Sequence, residues 1–98
     1  MNINREEALL KECLDVFGIP AQLVKAMEEL NELSVEICKE LNAKNNRDNI
    51  IEGIADVTIM LCQLAIIFDL QDSDVGNVIK SKLERLQHTV NLEKGGGE

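Results

Sequence analysis

The sequence predicts an all-α fold, a four-helix bundle completed by homo-oligomerisation, and three observations carry that expectation. Apolar residues recur at three- and four-residue spacing through four successive segments. Aromatic residues make up 2% of the chain against 45% hydrophobic overall, so packing must come from Leu, Ile, Val and Met, as it does in helix bundles. At 98 residues the chain is one domain that buries only a modest fraction of its surface unless it meets a partner.

The first helix is expected from about Arg5 to Phe17, ending at Gly18, where a left-handed cap needs no Cβ. Pro20 suits the first turn of a second helix, roughly Pro20 to Asn42, with Leu23, Met27, Leu30, Ser34, Ile37 and Leu41 on one stripe. The polar run Asn42 to Arg47 ends it. Asp48 is the expected N-cap of a third helix reaching Phe68 or Asp69, apolar on nearly every side and therefore the expected centre of the bundle. A fourth helix follows Asp72 or Ser73, with Val75, Ile79, Leu83, Leu86 and Val90 on one face. The expected single domain is 1–94, with 95–98 a glycine-rich flexible tail.

A net charge of −8 argues against a broad nucleic-acid interface, which needs clustered Lys and Arg. The three cysteines, Cys13, Cys38 and Cys62, form no C-x-x-C motif and read as reduced core residues. No signal-like segment opens the chain, and the stretch Val57 to Phe68 is too short to span a bilayer. The expectation is a cytoplasmic protein with no membrane contact.

Asp56 is the one charged side chain between Gly53 and Ile67, in a helix otherwise suited to burial. Asn49, Glu52, Asp56 and Gln63 share one narrow sector at about 100° per residue. The second helix offers a matching set: Glu29, Glu32 and Glu36 line up at the edge of the apolar stripe, where they can face the third helix, while Glu28 points away. Acids this dense repel one another unless a dication sits among them, and all-oxygen donors suit Mg2+ or Mn2+ rather than zinc. An acidic run on a helix is more often a solvated face; the isolated Asp56 is what favours a site.

The order Glu28-Glu29-x-x-Glu32, a polar loop, then an acid and Ala55-Asp56 opening a very apolar helix, resembles the MazG-like all-α nucleoside triphosphate pyrophosphohydrolases, whose pattern is Glu-Glu-x-x-Glu followed by Glu-x-x-Asp. The likeness covers about Gln22 to Arg85. It implies a MazG-like bundle that splits an NTP or dNTP into the monophosphate and pyrophosphate, as a homodimer or homotetramer, with Mg2+ held by Glu29, Glu32 and Asp56. The pattern's acid three residues before Asp56 is replaced by Gly53, and Glu52, four before, is the expected substitute ligand. Gly53 signals either close backbone approach or a lost ligand. Glu28 and Glu36 are the candidate proton acceptors. The likeness also implies a phosphate role for Lys82 and Arg85, whose plain alternative is a solvated face with Glu84 as partner. Lys25, one turn before Glu29, is either a further phosphate contact or an ordinary helix ion pair. The alternative function is a catalytically impaired metal- or nucleotide-binding oligomer; a third is a plain acidic helical oligomer.

Overall fold

The computed structural model describes residues 3–42 and 45–95, with side chains described from Glu6 onward. Gly96, Gly97 and Glu98 of the expected tail lie outside the described residues. The protein is all-α: four helices, α1 (Ile3–Phe17), α2 (Ile19–Leu41), α3 (Arg47–Ile67) and α4 (Asp72–Glu93), with no strand among the described residues. The chain divides into two compact units, Met1–Phe68 and Asp69–Glu98. The second contains a single long helix, which cannot enclose a core of its own.

Gly18 separates α1 from α2. Its φ of 88 is the positive value that glycine permits, but its ψ of 152 turns the chain to the extended side instead of through a left-handed cap. It serves as the N-cap position of α2, with Pro20 in the first turn, where a missing N–H is harmless.

Asn46, not Asp48, occupies the N-cap position of α3, and Asp48 falls in the first turn. The Asn46 side chain is engaged elsewhere: its Nδ2 donates to the Glu36 backbone carbonyl at 2.8 Å and to Glu36 Oε2 at 2.7 Å. That stitch pins the loop to α2. Since Glu36 meets Asn46, Leu33 meets Gly53, and Gln22 and Lys25 share a cavity wall with Met60 and Gln63, α2 and α3 run antiparallel along a common seam.

The seam corrects the expected core. Along α2 it is Ala26 and Glu29 that are buried, with Leu33 and Glu36 half-buried, while Met27, Leu30, Ile37 and Leu41 of the expected core stripe are exposed, Leu41 at 83%. Small residues decide this: Ala26 and Gly53 let the two backbones approach closely, which a stripe of Leu and Met would prevent. On α3, Val57, Met60 and Gln63 are buried, but Ile51, Ile54 and Leu61 are exposed, so the third helix is not enclosed within one chain. Cys13 and Cys62 are half-buried and Cys38 is exposed, so Cys38 is not a core residue.

At 21 residues, α3 is long and apolar enough to cross a membrane by length and composition, which corrects the shorter estimate from Val57 to Phe68. It packs against α2 and carries Glu52 and Asp56 on one flank.

In the second unit, α4 opens with the Asp74 carboxylate accepting a hydrogen bond from the Gln71 N–H at 2.7 Å, while the Asp74 N–H donates to the Gln71 carbonyl. Its apolar stripe, Val75, Ile79, Leu83, Leu86 and Val90, is exposed.

Candidate functional site

A helix turns about 100° per residue, so each flank of the seam can be traced from its buried positions. On α2 the inward line is Ala26, Glu29 and Leu33; Lys25 and Glu32 turn to one side of it, and Leu30 and Ile37 to the other. On α3 the inward line is Gly53, Val57 and Met60; Glu52, Asp56 and Gln63 turn to one side, and Ile54 and Leu61 to the other. In an antiparallel pair, residues displaced the same way round each helix fall on the same side of the seam. Glu32, Glu52 and Asp56 therefore share one side, with Glu29 at its floor, and the exposed apolar residues share the opposite side.

Glu29 is 7% exposed and pairs with Lys25, one turn earlier, at 3.1 Å. A carboxylate so desolvated needs a cationic partner. The hydrogen bond and the charge of Glu29 in turn hold the Lys25 ammonium above its usual range. Asp56, expected in the core, is exposed, as are Glu28, Glu32 and Glu52. The all-round apolar character of α3 suggested burial; one flank of that helix faces open solvent, and Asp56 stands on it. No three Asp, Glu, His or Cys residues lie together as a cation-holding cluster among the described residues. The predicted ligands are thus brought to one side of one seam without being gathered at coordination distance.

Glu36 is turned to the loop. It accepts hydrogen bonds from Asn46 and, at 3.3 Å, from Lys39, and the Asn46 bond holds its carboxyl below the usual glutamate range. A carboxylate made less basic and held by its own loop is a structural anchor and a poor proton acceptor. Lys82 and Arg85 belong to the second unit, exposed on α4, and neither forms an ion pair among the described residues; Glu84 is exposed beside them.

The sequence did not point to a cavity of about 550 Å3 at the far end of the acid-bearing side, where α1 forms a third wall. Leu10, Phe17, Lys25, Ile59, Met60 and Gln63 are among its lining residues. Gln63 was legible on the polar sector of α3, and Phe17 is one of only two aromatic residues in the chain; neither signal places a cavity between three helices.

No protein-family model matches the chain, and no curated protein and no solved structure shows significant similarity to it.

Proposed function

We propose that the chain is the subunit of a cytoplasmic MazG-like homo-oligomer that hydrolyses a nucleoside triphosphate between its α and β phosphates, releasing the monophosphate and pyrophosphate. The observation that carries this reading is the two-sided seam. Glu32 from α2 and Glu52 and Asp56 from α3 lie on one side of it with Glu29 at its floor, although Glu52 stands one residue before the position the motif resemblance calls for.

The donor set fits a hard dication in kind: every candidate atom is a carboxylate oxygen, with no thiol or imidazole beside it, which matches Mg2+ or Mn2+. Glu29, Glu32, Glu52 and Asp56 would hold it, and when bound the ion supplies neutralisation of charge at the phosphates. The chain's own groups do the rest. Lys25, held protonated by Glu29, offers ammonium donors to phosphate oxygens on the same flank. Glu28, exposed and one position from Glu29, is the better candidate to take the proton of the attacking water, because Glu36 is committed to the loop.

The other side of the seam supports oligomer formation. Met27, Leu30, Ile37, Ile54 and Leu61 are all exposed there, and large apolar side chains exposed on one face are what a subunit contact covers. A homodimer, or a dimer of such dimers, covers it.

A second reading has its own observation. Position 53 lies against Leu33, so the acid the motif calls for would have to push the Leu33 side chain aside; on this reading the chain is a metal- or nucleotide-binding oligomer without turnover. A pyrophosphate-release screen over all NTPs and dNTPs, with and without Mg2+, separates the two. Release that requires the ion and is lost in Asp56→Asn supports the hydrolase. Calorimetric binding of a nonhydrolysable triphosphate with no release from any substrate overturns it in favour of the binding oligomer.

A further inference from the structure

Of the four carboxylates at the acid-bearing side of the seam, Glu29 is the one already neutralised. It pairs with Lys25 at 3.1 Å, whereas Glu32, Glu52 and Asp56 form no ion pair among the described residues. The two partners are unequal. The Glu29 side chain is buried between α2 and α3, while Lys25 is half exposed and carries its charge on a flexible four-carbon stem. Leaving a desolvated carboxylate unpaired is costly, so Lys25 departs from Glu29 at little cost only when another cation takes its place.

Glu29 is also a proposed ligand of the hard dication, and the two cations compete for it. An ammonium 3.1 Å from Oε1 and a dication on the same carboxylate repel one another strongly where water screens them poorly. A released lysine has a place to go. Its side chain already lines the apolar cavity with Gln22 and Met60, so the methylene stem can rest on that wall while the ammonium reaches water. We infer that Lys25 is a resident counter-ion that holds the dication's place on Glu29, and that dication binding expels it. The exchange frees the ammonium for a phosphate group only when the ion is bound. This makes Lys25 a positioning residue of the site proposed above, and it rests on that reading.

Magnesium alone tests the exchange apart from the chemistry. With lysine side chains carbon-13 labelled at Cε, Lys25 is the signal missing from Lys25→Met; Lys39, paired with Glu36 at 3.3 Å and away from the proposed ligands, is the internal control. Titrating MgCl2 into the native chain is expected to move the Lys25 signal to its position in ion-free Glu29→Gln and leave Lys39 in place. Should Glu29→Gln fail to fold, the signal of exposed Lys80 supplies the reference for an ammonium without a carboxylate partner. KCl at the same ionic strength should leave Lys25 where it was. Calorimetry should find Mg2+ bound about fivefold more tightly by Lys25→Met, the factor gained when a partly exposed ion pair no longer has to be broken. Lys25→Arg keeps the charge and should bind Mg2+ like the native chain, and Asp56→Asn should weaken binding in either background. Inorganic triphosphate should lose affinity on Lys25→Met only when Mg2+ is present.

A Lys25 signal unmoved at Mg2+ saturation overturns the inference, as does equal Mg2+ affinity of native and Lys25→Met chains. A shift that KCl reproduces or Lys39 shares is general screening and overturns it too, as does triphosphate binding that depends on Lys25 without the ion. In each case the hydrolase reading survives if ion-dependent pyrophosphate release persists. Lys25 expelled by Mg2+ with no triphosphate hydrolysed leaves the exchange standing and removes the hydrolase reading, and no Mg2+ bound by any variant removes both.

Discussion

Gly53 of α3 lies so close beneath Leu33 of α2 that a Cβ built at position 53 would stand 2.9 Å from the Leu33 Cδ1 methyl and 3.6 Å from its Cα. The glycine thus leaves room for the Leu33 side chain against the α3 backbone. This favours close approach as the reason for Gly53.

Gly53→Ala removes the helix penalty of glycine, worth about 1 kcal/mol, and displaces only the end of a flexible, half-buried leucine side chain. Its stability should stay within about 1 kcal/mol of the native chain. Gly53→Glu forces a charged chain into the seam and should destabilise by about 1–3 kcal/mol. Urea denaturation monitored by circular dichroism measures both; a Glu variant as stable as the native chain would mean that the seam opens freely. Although it restores the motif spacing, Gly53→Glu should not raise turnover.

Glu29 should separate stability from function. It is buried in the seam while its partner Lys25 is half exposed, so removing the carboxylate leaves no buried charge behind. Glu29→Met should therefore leave stability unchanged or raise it by about 1 kcal/mol, while pyrophosphate release falls to background. Equal loss of both would make Glu29 a structural residue only.

The four helices were legible because their breaks are chemical: Gly18 and Pro20, the run from Asn42 to Arg47, and the segment around Gln71 stop or start helices whatever surrounds them. Which face of α2 meets α3 was not. Periodicity marks Leu23 to Leu41 as apolar without saying whether the same chain or another copy covers it, and the actual choice turned on Ala26 and Gly53, whose contribution is the absence of bulk. The carboxylates were legible as two sets and as neighbours of one seam. The exposure of Asp56 was not, since hydrophobicity on several sides of a helix is shared between its own chain and surfaces left for others.

Acidity should loosen the loop between α2 and α3. Glu36 has its folded-state carboxyl lowered, chiefly by the Asn46 hydrogen bond, so its contribution to stability is full above the unfolded glutamate range and is lost as pH falls through the lowered folded value. Asn46→Ala should remove that contribution, flattening the acid limb of a stability-versus-pH curve and speeding amide exchange at residues 45–49. For Lys25 the sign reverses: its raised ammonium contributes below the ordinary lysine value, and the contribution disappears as pH climbs through the still higher folded one. Lys25→Met should therefore blunt the alkaline limb alone.

Leu30→Arg and Ile54→Arg place charge on the apolar side of the seam, at side chains that are already exposed in the single chain. On the proposed homo-oligomer reading, each should shift sedimentation toward monomer. Leu41→Arg, at the most exposed of the apolar positions, tests how far that surface extends along α2. An unchanged sedimentation profile for Leu30→Arg and Ile54→Arg would move the subunit contact elsewhere.

Ser34 Oγ donates to the Leu30 carbonyl at 3.1 Å and Thr58 Oγ1 to the Ile54 carbonyl at 2.7 Å, each one turn back along its own helix. Both hydroxyls stand on the apolar side of the seam, and both have already found an acceptor before anything approaches. A neighbour docking there would meet methyl and methylene groups but no hydroxyl in need of a bond, so shape alone would choose its register. Such a surface forgives sliding, and related subunits differing in a few side chains should be able to intermix on it.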